Sequence, residues 1–280
     1  MNQEDRQSTP RCLVWDIPTR LAHLLLIIGF LGAFILAEAG EHGPLFVLHM
    51  VLGLLVALIA ILRILWGIVG TRYARFSSFS WRPSALLSYL RNLVSGGDAS
   101  HVGHNPATSY ATIAMLALAL GIAASGLMMT RGFGEELEDL HEVLALALLA
   151  IAAVHVAGVL FHVVRHRDDL VRSMVDGRKA AARQSESASP ARAAGATLAL
   201  LTAGLLVVAL TGYDPARGTV VVPGLGWTLG EEDSERGGGD ARDDHADRVR
   251  DNEDHSSSKR DDHDDHHRGA RKHRDNDDHH

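Results

Sequence analysis

The amino-acid sequence predicts an all-α membrane protein: a four-helix transmembrane bundle, a fifth C-terminal transmembrane helix and a disordered tail. Hydrophobic residues make up 46% of the 280 residues, and they collect into long runs separated by short charged segments. Runs of about 20 apolar residues are what a bilayer requires of a spanning helix. From residue 231 onward the chain has almost no apolar side chains, so the tail cannot bury a core and is expected to be disordered.

Five apolar runs are expected to span the membrane. The first has some features of a secretory signal peptide, a basic start and small residues at its end, but its length favours a membrane helix. The polar segment after the second run predicts a short interfacial helix that begins near Pro83. Residues 219–227, after the fifth run, predict a small turn or strand. The runs cover residues 21–37, 46–69, 109–129, 141–164 and 193–211.

The placement of Lys and Arg predicts the orientation of these helices. The N-terminal segment and the segments after the second and fourth runs are basic. The other two loops between the first four runs have Arg131 as their only Lys or Arg residue. Because basic loops stay in the cytoplasm, the N-terminus is expected inside and the tail outside. The resulting division is a cytoplasmic segment (1–18), a four-helix domain (19–185), a linker with the fifth helix (186–212) and the tail (213–280).

Four histidines in the apolar runs fall into two levels of the predicted bundle. His23 lies near the cytoplasmic end of the first helix, and His49 lies near the outer end of the second. His141 and His155 lie on nearly the same face of the fourth helix, about 21 Å apart along its axis. The outer level therefore holds His49 and His141, and the inner level holds His23 and His155. Ionisable residues at membrane depth usually mark a functional site.

Two facing imidazoles are the ligands of a b-type haem, so two levels predict two haems b stacked across the membrane as an electron path. Cys12 is the only cysteine, which excludes covalent c-type attachment, internal disulfides and an iron–sulfur cluster held by four cysteines of this chain. For a single histidine the alternative is a hydrogen-bonded packing residue. For the four histidines together the alternative is a zinc site, but zinc would gather its ligands at one level.

Two arginines and a further histidine are candidates for the inner haem. Arg63 and Arg20 both fall near the inner level, where a guanidinium could bind the haem propionates. For Arg20 the alternative is an arginine that extends to the membrane surface. His162, seven residues beyond His155, is a secondary candidate for a propionate contact, a quinone site or the interface.

Three glycines follow the first two histidines. Gly29, Gly32 and Gly53 would leave room for a flat macrocycle. Small residues also serve close packing between membrane helices, which is the alternative interpretation.

Five motifs together resemble one known family. In chain order they are Trp15-Asp-x-Pro-Thr-Arg20-x-x-His23, His49-x-x-x-Gly53, Arg63-x-x-Trp66-Gly67, His104-Asn105-Pro106-Ala107, and His141-Glu142 with His155. Over about residues 11–180 the sequence resembles the bacterial cytochrome b561 family, which is similar to the cytochrome b subunits of nickel–iron hydrogenases. The resemblance implies a four-helix core with two b haems in the bacterial inner membrane. It also implies that His23, His49, His141 and His155 are the axial iron ligands.

The resemblance further implies electron exchange between a membrane quinone and a redox partner. That partner is expected to be a periplasmic c-type cytochrome or a dehydrogenase or hydrogenase subunit, with a homodimer left open and no nucleic acid involved. Two alternatives remain at this stage. One is a self-contained quinone-linked oxidoreductase of the superoxide- or metal-reducing type, and the other is a metal-handling protein that uses its periplasmic tail, which is rich in Asp and His.

Overall fold

The protein is mostly helical, with two small antiparallel sheets. The computed structural model describes residues 11–40, 43–95, 104–131, 135–166, 170–180, 187–214, 217–222 and 227–229. The tail from residue 230 onward, and with it the expectation of disorder there, lies outside the described residues. Within them, five helices are long and apolar enough to cross a membrane.

The described elements follow one another in this order. They are β1 (Arg11–Leu13), α1 (Ile17–Ala39), α2 (Pro44–Val69), a 3₁₀ turn (Phe76–Ser78), α3 (Pro83–Ser95), α4 (Pro106–Met129), α5 (Glu135–His166), α6 (Leu170–Asp176), β2 (Arg178–Ala180), α7 (Arg192–Thr211), β3 (Tyr213–Asp214), β4 (Thr219–Val222) and β5 (Trp227–Leu229). The five spanning helices are α1, α2, α4, α5 and α7.

Local sequence signals fix where α1 and α4 begin. The side chain of Asp16 accepts a hydrogen bond from the backbone N–H of Thr19 at 2.8 Å, and Asn105 does the same for Thr108 at 2.7 Å. A proline follows each cap in the first turn, where its missing N–H costs nothing. The helices therefore extend beyond the apolar runs, and α1 starts four residues before the predicted run.

The spanning helices run antiparallel in chain order. Helix α1 packs on α2, α2 on α4, and α4 on α5, while α7 packs against α1 and α2. A core between α2, α4 and α5 forms around Ala60, Leu116 and Leu148, and a second between α1, α2 and α7 forms around Ile59 and Leu198. We call the end where α1 begins the proximal end and the opposite one the distal end.

The outward faces of the bundle are strongly apolar. Ile35, Val154 and Leu200 are 65%, 72% and 73% exposed, and each belongs to a different spanning helix. Apolar surface of this extent is unusual for a protein in water but suits contact with lipid. The faces therefore agree with the predicted membrane location.

At the proximal end, the residues before α1 form part of the fold. Strand β1 pairs antiparallel with β2, and we call this pair the β1–β2 ribbon. Both Val14 and Trp15 donate backbone hydrogen bonds to the carbonyl of Gly177. Gly177 has a positive φ of 79°, and a Cβ at this position would lie 2.7 Å from the carbonyl oxygen of Trp15. Residues 11–16 thus close over the bundle, although the sequence predicted only a polar segment there.

At the distal end, strands β3, β4 and β5 form a three-stranded antiparallel meander after α7. Val220 of β4 is fully buried against Val47 and Val51 of α2 and Ala209 of α7. Residues 219–227 were expected to make a turn or strand, and the described part of this segment is strand β4 and the start of β5. This sheet lies on the part of α2 that carries His49.

Candidate functional site

The imidazoles of His49 and His141 face each other at the distal end. Their ring centroids are 6.1 Å apart, with 67° between the ring planes. A metal–imidazole bond is about 2 Å long, so two rings on opposite sides of one metal have centroids about 6 Å apart. The spacing of this pair therefore fits one metal ion between the two rings.

Hydrogen bonds orient both rings of this pair. His49 Nδ1 lies 2.8 Å from the carbonyl oxygen of Ala33 on α1, and His141 Nδ1 lies 3.0 Å from Ser125 Oγ on α4. The Ser125 hydroxyl donates to the carbonyl of Ile122, so it accepts from His141. With both Nδ1 atoms acting as donors, both Nε2 atoms keep a lone pair for a metal, and such outer bonds commonly orient metal-binding histidines.

At the proximal end, His23 on α1 and His155 on α5 lie within electrostatic range of each other, and both are partly buried. This proximity is compatible with the predicted inner level, and the pairing of His23 with His155 stays a prediction.

Arg63 is a buried cation next to this level, only 6% exposed. Its guanidinium lies 5.5 Å from the ring centroid of Phe76, which packs against the backbone of Gly67. Its Nη1 atom is buried and has no hydrogen-bond partner among the described residues. An unpaired buried guanidinium nitrogen is costly, and a carboxylate would satisfy it.

The side chain of Arg20 is held by a hydrogen bond at the same end. It donates a hydrogen bond from Nη1 to the carbonyl of Val175, at the end of α6. Its Nε atom is buried and meets no hydrogen-bond partner in the described part of the chain. These contacts distinguish Arg20 from an arginine that extends freely to the membrane surface.

His162 is buried and 3% exposed. Its Nδ1 lies 3.4 Å from the hydroxyl of Tyr89 on α3, and that hydroxyl accepts a hydrogen bond from Asn105 at 3.0 Å. The structure therefore places His162 in a polar contact between α3, α4 and α5. This packing under α3 was not among the roles that the sequence suggested for His162, and those roles stay predictions.

The three glycines separate into two kinds. A Cβ at Gly29 would lie 2.9 Å from Val56, and one at Gly32 would lie 2.9 Å from Leu52, so both positions serve close packing of α1 on α2. A Cβ at Gly53, one turn after His49, would meet no described atom within 4 Å. Of the three glycines, Gly53 is therefore the one with open space on its Cβ side.

His104 was part of a motif but received no role from the sequence. Its ring packs against Trp15 and Phe79, with centroid distances of 4.7 and 4.4 Å. Burial lowers the pKa of His104 to about 3, and the nearby charges of Arg63 and Lys179 act in the same direction. Its Nδ1 atom is buried and finds no partner among the residues that the structure describes.

A zinc centre is not supported. Over the described ranges, no group of three or more His, Cys, Asp and Glu side chains is arranged to hold a metal ion. Structural zinc sites use four such ligands and catalytic ones three. Two-imidazole sites fit a metal already held by a macrocycle.

Membrane-spanning helices with a facing pair of imidazoles, here His49 and His141, are typical of the class of helical membrane cytochromes. The comparison with protein families places the chain within that class, because the model of the prokaryotic cytochrome b561 family matches residues 14–177. The chain belongs to this family, and it is therefore a membrane b-type cytochrome of electron transfer that binds haem b. No curated protein and no solved structure matched it. Helix α7 and the distal sheet lie beyond the matched residues.

Proposed function

We propose that the protein carries two b haems and transfers electrons across the inner membrane between the quinone pool and a redox partner. The observation that carries this proposal is the facing pair of His49 and His141, whose 6.1 Å centroid separation matches two ligands of one iron. His23 and His155 would ligate the second haem. A haem bound between two imidazoles supplies reversible one-electron chemistry.

The residues around each level suit this assignment. At the distal end, Ala33 and Ser125 fix both imidazoles with Nε2 free for iron. At the proximal end, Arg63 and Arg20 each have a buried nitrogen without a partner among the described residues, and haem propionates would pair with both. Because His141 and His155 lie about 21 Å apart along α5, the two irons would be stacked across the membrane.

The surface charges support a cytoplasmic proximal end. Exposed arginines such as Arg72, Arg82 and Arg91 follow α2 or lie on α3, whereas Glu38, Glu138 and Asp139 are exposed near the distal end. This distribution agrees with the rule that basic segments remain in the cytoplasm. An acidic distal surface would attract a basic redox partner, such as a periplasmic c-type cytochrome, more than an acidic one.

An absorption spectrum with a haem assay tests the proposal. Protein purified in detergent should show a reducible b-type Soret and α band, with two haems per chain. One haem per chain would contradict the two-level assignment. A colourless protein that binds a divalent metal instead would overturn the proposal altogether.

A further inference from the structure

The hydrogen bonding of His104 determines which ring nitrogen is a donor and which is an acceptor. The imidazole bonds to the backbone carbonyl of Tyr73. Because Nδ1 has no partner within the described residues, the nitrogen that donates this bond is Nε2. In the neutral ring Nδ1 is then an acceptor, and leaving a buried acceptor unpaired is unfavourable. The position therefore suits a ligand that brings a donor.

The positive charges around His104 keep its ring neutral, so Nδ1 remains an acceptor. Arg63 on α2 and Lys179 on β2 lie within electrostatic range of the ring, and so does His155 on α5. Protonation between two cations is unfavourable, so the ring stays neutral at physiological pH. A haem propionate offers only acceptors when ionised and cannot pair with Nδ1. A hydroxyl group can donate to it.

Aromatic side chains connect His104 with the surface. Phe79 contacts the His104 ring on one side and lies 5.8 Å from Trp81 on the other, measured between centroids. Trp81, just before α3, is 48% exposed, whereas Phe79 is buried. Flat apolar ligands bind in such aromatic surroundings, with a few polar groups to orient them.

We propose that His104 binds the head group of a quinol at the proximal end, with Nδ1 accepting a hydrogen bond from a quinol hydroxyl. The aromatic residues Phe79 and Trp81 line the approach. This inference rests on the proposed function, because it names where the quinol binds beside the proximal haem. Since an oxidised quinone has no hydroxyl, the site selects the reduced form.

The test combines two ligands with three forms of the full-length, haem-loaded protein. The ligands are duroquinol and its dimethyl ether, which lacks the hydroxyl hydrogens. The proteins are the native chain, His104→Gln and His104→Asn. A glutamine amide reaches the Nε2 position and retains the bond to Tyr73, whereas an asparagine amide lies near Nδ1 and retains an acceptor. Binding is measured by equilibrium dialysis on dithionite-reduced protein, so that no electron transfer occurs.

We expect the native protein and His104→Asn to bind duroquinol about tenfold more tightly than the ether, and His104→Gln to bind both ligands equally. Equal binding of both ligands by the native protein overturns the inference, and so does native-like discrimination in His104→Gln. A shift of the proximal haem potential in His104→Gln without a change in discrimination also overturns it, because that result assigns His104 to a propionate.

The haem content of the same samples separates this inference from the proposed function. A native protein that holds two haems but does not discriminate between the ligands contradicts only the quinol site. A native protein without haem contradicts the proposed function itself. If His104→Gln does not retain its haems, the two ligands compared on the native protein still decide the question.

Discussion

The Nδ1 of His49 on α2 lies 2.8 Å from the carbonyl oxygen of Ala33 on α1. The acceptor is a backbone group, so its position depends on how closely α1 packs on α2. Gly29, one turn before Ala33, permits that approach, because its missing Cβ would lie 2.9 Å from Val56. The orientation of a proposed iron ligand is thus coupled to the packing of a neighbouring helix.

This coupling predicts that Gly29→Val weakens the distal haem site without touching a ligand. Val56 is buried and β-branched, so it cannot turn away, and overpacking of this kind costs about 1–3 kcal/mol. We expect roughly tenfold weaker binding of the distal haem, measured by haem titration of the apoprotein. Gly204→Val is the matched control, since a Cβ there meets nothing described within 4 Å. Equal losses in both variants would contradict the coupling.

Single replacements test the pairing of the histidines. His49→Ala and His141→Ala should each remove the distal haem, and His23→Ala and His155→Ala the proximal one, because one imidazole cannot hold a bis-histidine haem. The haem content should fall from two per chain to about one, with different potentials lost in the two groups. His162→Ala should retain both haems, since its ring contacts Tyr89. Loss of both haems from every variant would leave the pairing without support.

The hydroxyl of Ser125 should tune the potential of the distal haem. It accepts a hydrogen bond from His141 Nδ1, which makes the imidazole a stronger electron donor and favours ferric iron. A hydrogen bond that stabilises the ferric state over the ferrous state by about 1 kcal/mol lowers a one-electron potential by about 40 mV, so Ser125→Ala should raise the distal potential by up to about that amount. Redox titration should show no change at the proximal haem and a native potential in Ser125→Thr. A downward shift would contradict this role of Ser125.

The sequence predicts the elements whose signals are long or repeated. Five apolar runs give the spanning helices, and the spacing of His141 and His155, combined with the alternation of basic loops, predicts which histidines share a level. The β1–β2 ribbon could not be predicted, because strands of three residues have no measurable periodicity and pair across a long stretch of chain. The roles of Ala33 and of His104 Nδ1 also depend on neighbours from other elements, so no local pattern reveals them.

Arg63 should affect the apoprotein and the haem complex in opposite directions. In the apoprotein the guanidinium is buried, its Nη1 atom has no hydrogen-bond partner among the described residues, and attraction to Asp16 offsets only part of the desolvation, so Arg63→Met should leave thermal stability equal or higher. With haem, the same variant should lose the propionate contact and bind the proximal haem about tenfold more weakly. Thermal unfolding and haem titration measure the two effects. Arg91→Met, which changes an exposed arginine of α3, is the control, and equal destabilisation of both forms would argue against a propionate partner.

The β1–β2 ribbon should open in acid. The backbone N–H of Arg178, 2.8 Å from Asp176 Oδ1, lowers the pKa of this carboxyl, and Arg11 and Arg172 act in the same direction from 3.1 and 3.4 Å. A carboxyl with a lowered pKa stabilises the fold above its unfolded pKa of about 4, and this contribution is lost as the pH falls through the folded pKa.

Hydrogen exchange at residues 11–13, corrected for the intrinsic pH dependence, should therefore show protection that is constant near neutral pH and falls below about pH 4. The change should be modest, because the side chain of Asp176 is still 30% exposed and solvent weakens its ion pairs. Asp176→Asn should reduce protection at neutral pH and remove the pH dependence, whereas Asp139→Asn, at an exposed position of α5, should change neither. Unchanged protection in Asp176→Asn would show that the backbone pairing alone holds the ribbon.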